Sequence, residues 1–241
     1  MRTSASIFMV VGVALATIVF FAFAVQRASQ ADAVEQVGAL PQSTVAVGST
    51  DEQVLRGRYL VRIGSCNDCH TPWVFDEELG VAKPDMSRML SGHPDGGPEP
   101  TGTLGAYDMG LIGPTFTSFA LPFGVLYSAN LTPDVDTGIG SWTEQMFVDI
   151  FRKGRHLGGD GRGVLPPMPW FWIRNMTDDD LKAVYAYLNS IPAIRNPVPA
   201  HKVSDEVVWQ LRDGLDRMAA ELPQEEWAAR SGAQVAAAGM H

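Results

Sequence analysis

The 241-residue sequence contains only two cysteines, Cys66 and Cys69. A four-cysteine zinc site is therefore excluded within one chain, and no further cysteine exists for a structural disulfide. His70 follows directly, and C-x-x-C-H is the attachment sequence of a c-type haem. The two thiols can each bond one porphyrin vinyl group, while the adjacent histidine reaches the iron. The motif predicts one covalent haem c, with His70 as an axial ligand.

Basic residues are scarce, with 18 Lys and Arg against 27 Asp and Glu and a formal net charge of −9. Such an acidic surface does not suit nucleic acid or an anionic membrane face. It suits a redox partner that carries a positive docking patch, or it serves only to keep the domain soluble. The composition leaves both interpretations open.

Charged residues are absent from residues 7 to 25. A helix of this length, at about 1.5 Å per residue, approaches the hydrocarbon core of a bilayer, which is about 30 Å thick. The length favours a single-pass anchor, with a cleaved signal peptide as the alternative. Either one would place the rest of the chain outside the cytoplasm. Bacteria complete covalent haem attachment there, in the periplasm. We therefore expect an anchor over residues 1–27, a linker over 28–48, and a haem domain at the periplasmic face of the inner membrane.

Helical periodicity recurs in four later segments. The predicted helices run from about 49 to 63, 142 to 153, 178 to 190 and 204 to 221. In the first helix, Leu55, Tyr59 and Ile63 form one apolar stripe that should face the core. Ser141 and Thr177 are the expected N-caps of the second and third. Gly64 and Gly154 are expected to end the first and second.

Regular periodicity is lacking in residues 71–128, which are rich in glycine and proline. A stretch of this length without clear elements is unusual in a compact domain. No strand is strongly indicated there. We interpret the segment as an insertion over one edge of the haem, either as structural cover or for partner docking.

The second axial ligand is not given by the haem motif, and Met, His, another residue or an open site are all possible. Met168 stands in the run Pro166-Pro167-Met168-Pro169. Prolines restrict φ, so this loop is stiff and holds a thioether at little entropic cost. We predict Met168 as the ligand, with a gap-filling methionine as the alternative. Three histidines lie among charged or turn-forming residues and are predicted at the surface, namely His93, His156 and His201.

These features together resemble the class I c-type cytochromes, and in particular the cytochrome subunits that accept electrons from membrane-associated bacterial dehydrogenases. The resemblance covers residues 52 to 199. It rests on residues 57–61, 66–72, 129–134, 137–143, 167–170 and 176–188. It implies an all-α, class I cytochrome c-like haem domain over 49–200 that contains the long insertion. One transmembrane helix would precede this domain, and a helical extension over 201–241 would follow it.

The resemblance implies roles for the residues of the haem motif and the methionine loop. Cys66 and Cys69 would carry the thioethers. His70 would be the proximal iron ligand and Met168 the distal one. Members of this group often carry several haem motifs, whereas this chain has one.

The resemblance also implies supporting contacts around the haem. The first and last core helices would cross, with Gly57 near Tyr185. Pro114 would offer its carbonyl to the second nitrogen of the proximal histidine. Asn130 and Trp142 would donate hydrogen bonds to a haem propionate.

The function expected from these features is single-electron transfer by a carrier that is not itself an enzyme. Candidate redox partners are a dehydrogenase, a quinol-oxidising complex, a terminal oxidase or a soluble cytochrome. The alternatives are a haem enzyme of the peroxidase kind, and a gas-sensing or structural haem subunit. A filled second axial site would favour the electron carrier.

Overall fold

The computed structural model describes residues 49–156 and 161–223, and these residues form a mainly helical domain with short strands. Its α-helices are α1 (Ser49–Ile63), α2 (Cys66–His70), α3 (Glu144–Lys153), α4 (Trp170–Ile173), α5 (Asp178–Ser190) and α6 (Asp205–Glu221). Its strands are β1 (Trp73–Asp76), β2 (Val81–Pro84), β3 (Leu111–Ile112), β4 (Ser118–Leu121) and β5 (Gly124–Tyr127). The expectation of an all-α fold is therefore wrong in part.

The predicted membrane span over residues 7–25 and the linker over 28–48 lie outside the described residues, as does the end of the predicted extension after residue 223. Across 49–156 and 161–223, no helix combines the length and apolar character needed to cross a membrane.

Helices α1 and α5 cross in close contact at the centre of the core. A Cβ atom built on Gly57 would lie 1.8 Å from the carbonyl oxygen of Ala183 and 2.8 Å from the Cβ of Tyr187. Only glycine permits this approach of the two backbones. The predicted crossing is confirmed, but Gly57 meets Ala183 and Tyr187 rather than Tyr185, because these two residues face α1.

The predicted orientation of α1 is wrong. Each residue of its expected apolar stripe is more than half exposed, namely Leu55, Tyr59 and Ile63. The side that packs on α5 consists of Gly57, Leu60 and Val61, which follow the i, i+3, i+4 spacing of one helix face. The close crossing at the glycine decides which side of α1 is buried.

The boundaries of α3 and α5 follow local capping signals. The Thr177 hydroxyl accepts a hydrogen bond from the Asp180 N–H at 3.1 Å, which confirms the predicted cap of α5. Helix α3 is capped by Thr143 rather than by Ser141, because the Thr143 hydroxyl accepts from the Met146 N–H at 3.2 Å. Gly154 ends α3 with a φ of 62°, as predicted.

The insertion contains two small antiparallel sheets. Strands β1 and β2 form a hairpin, and β3, β4 and β5 form a three-stranded sheet in that order. The absence of a strand signal in the sequence has a physical reason, since none of these strands exceeds four residues. Strands this short hold too few residues to show a clear alternation of apolar and polar positions.

The side chain of Asn196 ties the insertion to the segment between α5 and α6. It is 2 % exposed, and its Nδ2 donates to the carbonyls of Ser91 and His93 at 2.7 and 2.8 Å. Its Oδ1 accepts from an Arg88 guanidinium nitrogen at 3.0 Å and from the Asp95 N–H at 3.1 Å. One amide therefore satisfies four polar groups of the insertion.

Replacing Asn196 by alanine is expected to lower the free energy of unfolding by about 2–4 kcal/mol, because buried carbonyls lose their donor. Urea unfolding of the purified protein measures this change. Asn189→Ala is the matched control, because Asn189 is exposed on α5 and its amide donates to the Tyr185 carbonyl of the same helix. Equal losses in the two variants would contradict the role assigned to Asn196.

His93 is buried rather than at the surface, which corrects the sequence prediction. It is 1 % exposed, and its Nδ1 lies 2.9 Å from the Thr117 hydroxyl. Its ring packs against Tyr127 with 4.9 Å between the centroids. The residue therefore belongs to the core of the insertion.

Helix α6 packs on the three-stranded sheet, a contact that the sequence does not predict, because it indicates no strand strongly. Leu215 forms a buried cluster with Leu126 of β5 and with Leu165. Just before the helix, Lys202 exchanges backbone hydrogen bonds with Val125 at 2.8 and 3.2 Å. The described part of the C-terminal extension is therefore joined to the insertion.

Candidate haem-binding cavity

A cavity of about 900 Å³ lies between the haem motif, the methionine loop and the start of α6. Its wall includes five of the predicted site residues, namely Cys69, His70, Asn130, Trp142 and Met168. Much of the remaining wall is apolar, with Leu126, Leu131, Phe147, Ile150 and Phe151. Cofactor sites are commonly mainly apolar cavities of about 300–1,000 Å³. Two predicted residues, Cys66 and Pro114, are not among the lining residues.

His70 is held as a neutral imidazole with one nitrogen available. The residue is 9 % exposed at the end of α2. Its Nδ1 lies 2.8 Å from the carbonyl oxygen of Ala129, so Nδ1 carries the proton and donates it. Burial lowers the pKa of His70, which keeps the ring neutral. Its Nε2 therefore keeps a free lone pair, which is the form that binds a metal.

The carbonyl that orients His70 belongs to Ala129 and not to Pro114, which corrects the assignment implied by the resemblance. Pro114 is exposed in the turn between β3 and β4. Gly92 links α2 to the chain after β5. Its N–H donates to the His70 carbonyl at 2.8 Å. Gly92 in turn lies against the backbone of Ala129, whose carbonyl oxygen would be 2.6 Å from a Cβ at Gly92.

Cys66 and Cys69 are free thiols one helical turn apart on α2. Cys69 is exposed and lines the cavity, whereas Cys66 packs partly against the core. Burial raises the pKa of Cys66 to about 11, and burial followed by the charge of Asp68 raises that of Cys69. Both thiols are therefore protonated near neutral pH and are not paired with each other.

Met168 lies on the wall of the same cavity as His70. Its N–H donates to the Leu165 carbonyl at 3.3 Å, and its carbonyl accepts from the Trp170 N–H at 2.9 Å. These two bonds hold the loop on both sides of the methionine just before α4. The structure thus brings together the two residues that the sequence predicted as axial ligands.

Curated proteins with similar sequences point to one class, although no family model matches the chain. The chain is 30% identical, over 67% of its length, to the cytochrome c subunit of a quinone alcohol dehydrogenase from Gluconobacter oxydans. It is 30% identical, over 68% of its length, to the gluconate 2-dehydrogenase cytochrome c subunit of Pantoea cypripedii. A third match is one of the subunits of nicotinate dehydrogenase from Pseudomonas putida, at 32% identity over 68% of this chain.

The chain is a homologue of bacterial dehydrogenase cytochrome c subunits. It spans 26% and 28% of the two cytochrome subunits and 11% of the nicotinate dehydrogenase chain. The relatives confirm the predicted resemblance and the cytochrome c-like domain. They also confirm that the chain resembles electron-transfer subunits rather than the catalytic subunits of such complexes.

The cavity of this cytochrome c homologue fits a covalent haem c. Two unpaired thiols stand one turn apart beside a mainly apolar cavity, and the adjacent buried histidine offers a free Nε2. A thioether sulfur lies on the same cavity wall. These are the donor types that cytochromes c use.

Asn130 does not have the free donor that the resemblance implied for a propionate. Its Nδ2 donates to the Thr137 hydroxyl at 3.1 Å and to the Ile194 carbonyl at 2.8 Å. Its Oδ1 accepts from the N–H and hydroxyl of Thr132 at 2.9 and 2.7 Å. Asn130 therefore fixes the loop that follows β5. Trp142 lines the cavity, and its contact with a propionate stays a prediction.

Two histidines predicted at the surface, His156 and His201, are partly buried and line the cavity. Burial, followed by the positive charge of Arg162, lowers the pKa of each to about 4. Sequence reasoning missed Arg162 and Arg212, which also line the cavity. No local signal distinguishes these residues from surface charges, because their placement depends on contacts between distant segments.

Proposed function

We propose that this chain transfers single electrons through one covalently bound haem c. The observation that carries the proposal is the state of His70. Its Nδ1 donates to the Ala129 carbonyl at 2.8 Å, which leaves Nε2 for iron in a cavity shared with Met168. The single C-x-x-C-H motif supports one haem per chain.

Each residue of the site has a separate task in this proposal. Cys66 and Cys69 would hold the haem by thioether bonds, and His70 and Met168 would bind the iron on its two faces. Bound in this way, haem c supplies a reversible ferrous–ferric couple. If His70 and Met168 both held the iron, no position would remain on it for a substrate, which favours a carrier over a haem enzyme or a gas sensor.

The proposed electron donor is a dehydrogenase, in keeping with the names of the relatives. A quinol-oxidising complex is the alternative donor, and a terminal oxidase or a soluble cytochrome is the proposed acceptor. The net charge of −9 supports a partner with a positive docking patch. Isolation of the detergent-extracted protein with its bound partners tests this assignment.

We place the haem domain at the periplasmic face of a bacterial inner membrane, with residues 7–25 as a single-pass anchor. The uncharged sequence of this segment supports the anchor. The mass of the mature protein tests it, because a cleaved signal peptide would remove the segment. The same mass counts the covalent haem groups.

Met168→Ala is expected to abolish the weak near-infrared band between sulfur and ferric iron and to lower the reduction potential. Loss of the thioether removes the ligand that raises the potential. Absorption spectra and redox titration of the purified protein measure both effects.

Met146→Ala is the control, because Met146 lies on α3 and is not among the cavity-lining residues. It should leave the band unchanged. If the band survives in Met168→Ala, another residue is the ligand. Rapid peroxide turnover or tight carbon monoxide binding by the unaltered protein would instead support the enzyme or the sensor.

A further inference from the structure

Four basic side chains on the cavity wall are not used by the proposed iron site. We call them the cationic cluster, and they are His156, Arg162, His201 and Arg212. They come from the segment after α3, from the loop before Met168, from the segment before α6 and from α6 itself. The four residues belong to separate segments of the sequence and come together only in the folded chain.

The members of the cationic cluster are tied to one another through the backbone. The His156 N–H donates to the Arg162 carbonyl at 3.0 Å. The side chain of Arg212 passes next to Gly163, because its Cγ would lie 3.9 Å from a Cβ built there. His156 and Arg162 therefore lie on paired backbone segments, and the side chain of Arg212 passes beside them.

Both arginines have donor groups without hydrogen-bond acceptors among the described residues. The Nε of Arg212 is buried and forms no hydrogen bond there, although it lies 3.6 Å from a carboxylate oxygen of Asp213 in an ion pair. Arg162 forms no ion pair and no side-chain hydrogen bond with any residue in 49–156 or 161–223. Buried polar groups in proteins are nearly always hydrogen-bonded, so the Arg212 Nε calls for an acceptor. Arg162 is exposed on the cavity wall, so its guanidinium is accessible to an acceptor there.

His201 presents a donor to the same cavity. Its Nδ1 accepts a hydrogen bond from the Tyr127 N–H at 3.3 Å, so the neutral ring carries its proton on Nε2. A partly buried neutral imidazole of this tautomer can donate to a carboxylate. The other ionisable residues of the wall are Cys69, His70, Tyr127, Asp136 and Asp205.

We propose that the cationic cluster binds the carboxylates of the haem propionates, an inference that rests on the proposed haem function. The vinyl and propionate groups lie on opposite edges of the porphyrin. Attachment of the vinyl edge at Cys66 and Cys69 therefore directs the propionates away from α2. Guanidinium groups form paired, charge-assisted hydrogen bonds with carboxylates. Asp136 and Asp205 offset part of the positive charge of the two arginines.

The reduction potential of the full-length haem-loaded protein tests the role of the arginines. Arg162→Gln and Arg212→Gln should each lower the potential, because loss of a nearby cation favours ferric over ferrous haem. Arg217→Gln removes the same charge from the same helix as Arg212 but outside the cavity wall, and should shift the potential much less. Arg162→Lys keeps the charge and should restore most of the potential.

The pH dependence of the potential tests the histidines. A propionate beside His156 or His201 raises the pKa of that histidine from its low value, since an opposite charge favours the protonated form. The potential of the unaltered protein should then fall as pH rises through this titration. His156→Gln and His201→Gln should each remove part of this fall. An undiminished fall in both variants would show that the two histidines do not bind the propionates.

The same measurements separate the role of the cationic cluster from the proposed haem function. If both arginine variants shift the potential no more than Arg217→Gln does, the cationic cluster does not bind the propionates. Retention of the near-infrared sulfur band in these variants shows that axial ligation is unchanged. Absence of covalent haem from the denatured protein would instead overturn the proposed function itself.

Discussion

Gly57→Ala is expected to lower the free energy of unfolding by more than about 2 kcal/mol, because the new methyl group has no space at the helix crossing. Its carbon would lie 1.8 Å from the Ala183 carbonyl oxygen, and a backbone atom cannot move aside as a side chain can. Helices α1 and α5 would have to separate, which opens the core around Leu60 and Val61. Thermal or urea unfolding of the purified protein measures the loss.

Gly214→Ala is the matched control for this prediction. Gly214 lies inside α6, and a Cβ there would meet no heavy atom within 4 Å. Alanine is favoured over glycine in a helix by about 0.5–1 kcal/mol, so this variant should be as stable as the unaltered protein or slightly more stable. A loss in Gly214→Ala as large as that in Gly57→Ala would show that the crossing is not what makes Gly57 necessary.

Replacement of both Cys66 and Cys69 by serine is expected to abolish covalent haem retention. A serine hydroxyl cannot replace a thiol in forming the thioether, and the chain has no other cysteine. Haem staining after denaturing electrophoresis and the mass of the denatured protein measure the loss. Each single replacement should leave at most one thioether.

Met168→Ala separates attachment from ligation. It should keep the covalent haem on the denatured chain while losing the near-infrared band, since it removes an axial ligand and no thioether. Haem retained on the denatured chain after both cysteines are replaced would contradict the assignment of the motif.

Helix positions could be predicted because their signals are local. Thr177 caps α5 through a hydrogen bond to a residue three positions later, and Gly154 ends α3 through its own φ. The buried side of α1 could not be predicted in this way. Its apolar residues occupy two sides of the helix, and the contact of Gly57 with Ala183 decides which side faces the core.

The supporting contacts of the site could not be predicted from short motifs. The resemblance implied Pro114 and Asn130, but Ala129 provides the carbonyl to His70, and the donors of Asn130 serve the protein's own loop. His93 is another such case, since its burial follows from packing against Tyr127. These contacts connect segments that are distant in the chain, so no short motif encodes them.

The sequence by itself determined the expected cofactor, the attachment residues and the candidate axial pair, because thioether spacing and the adjacent ligand are properties of five consecutive residues. It also determined the ends of most helices, since caps act within one turn. The tertiary structure alone decided which carbonyl orients His70, which side of α1 is buried and which charged groups line the cavity. Those outcomes depend on packing between residues that are close only after the chain has folded.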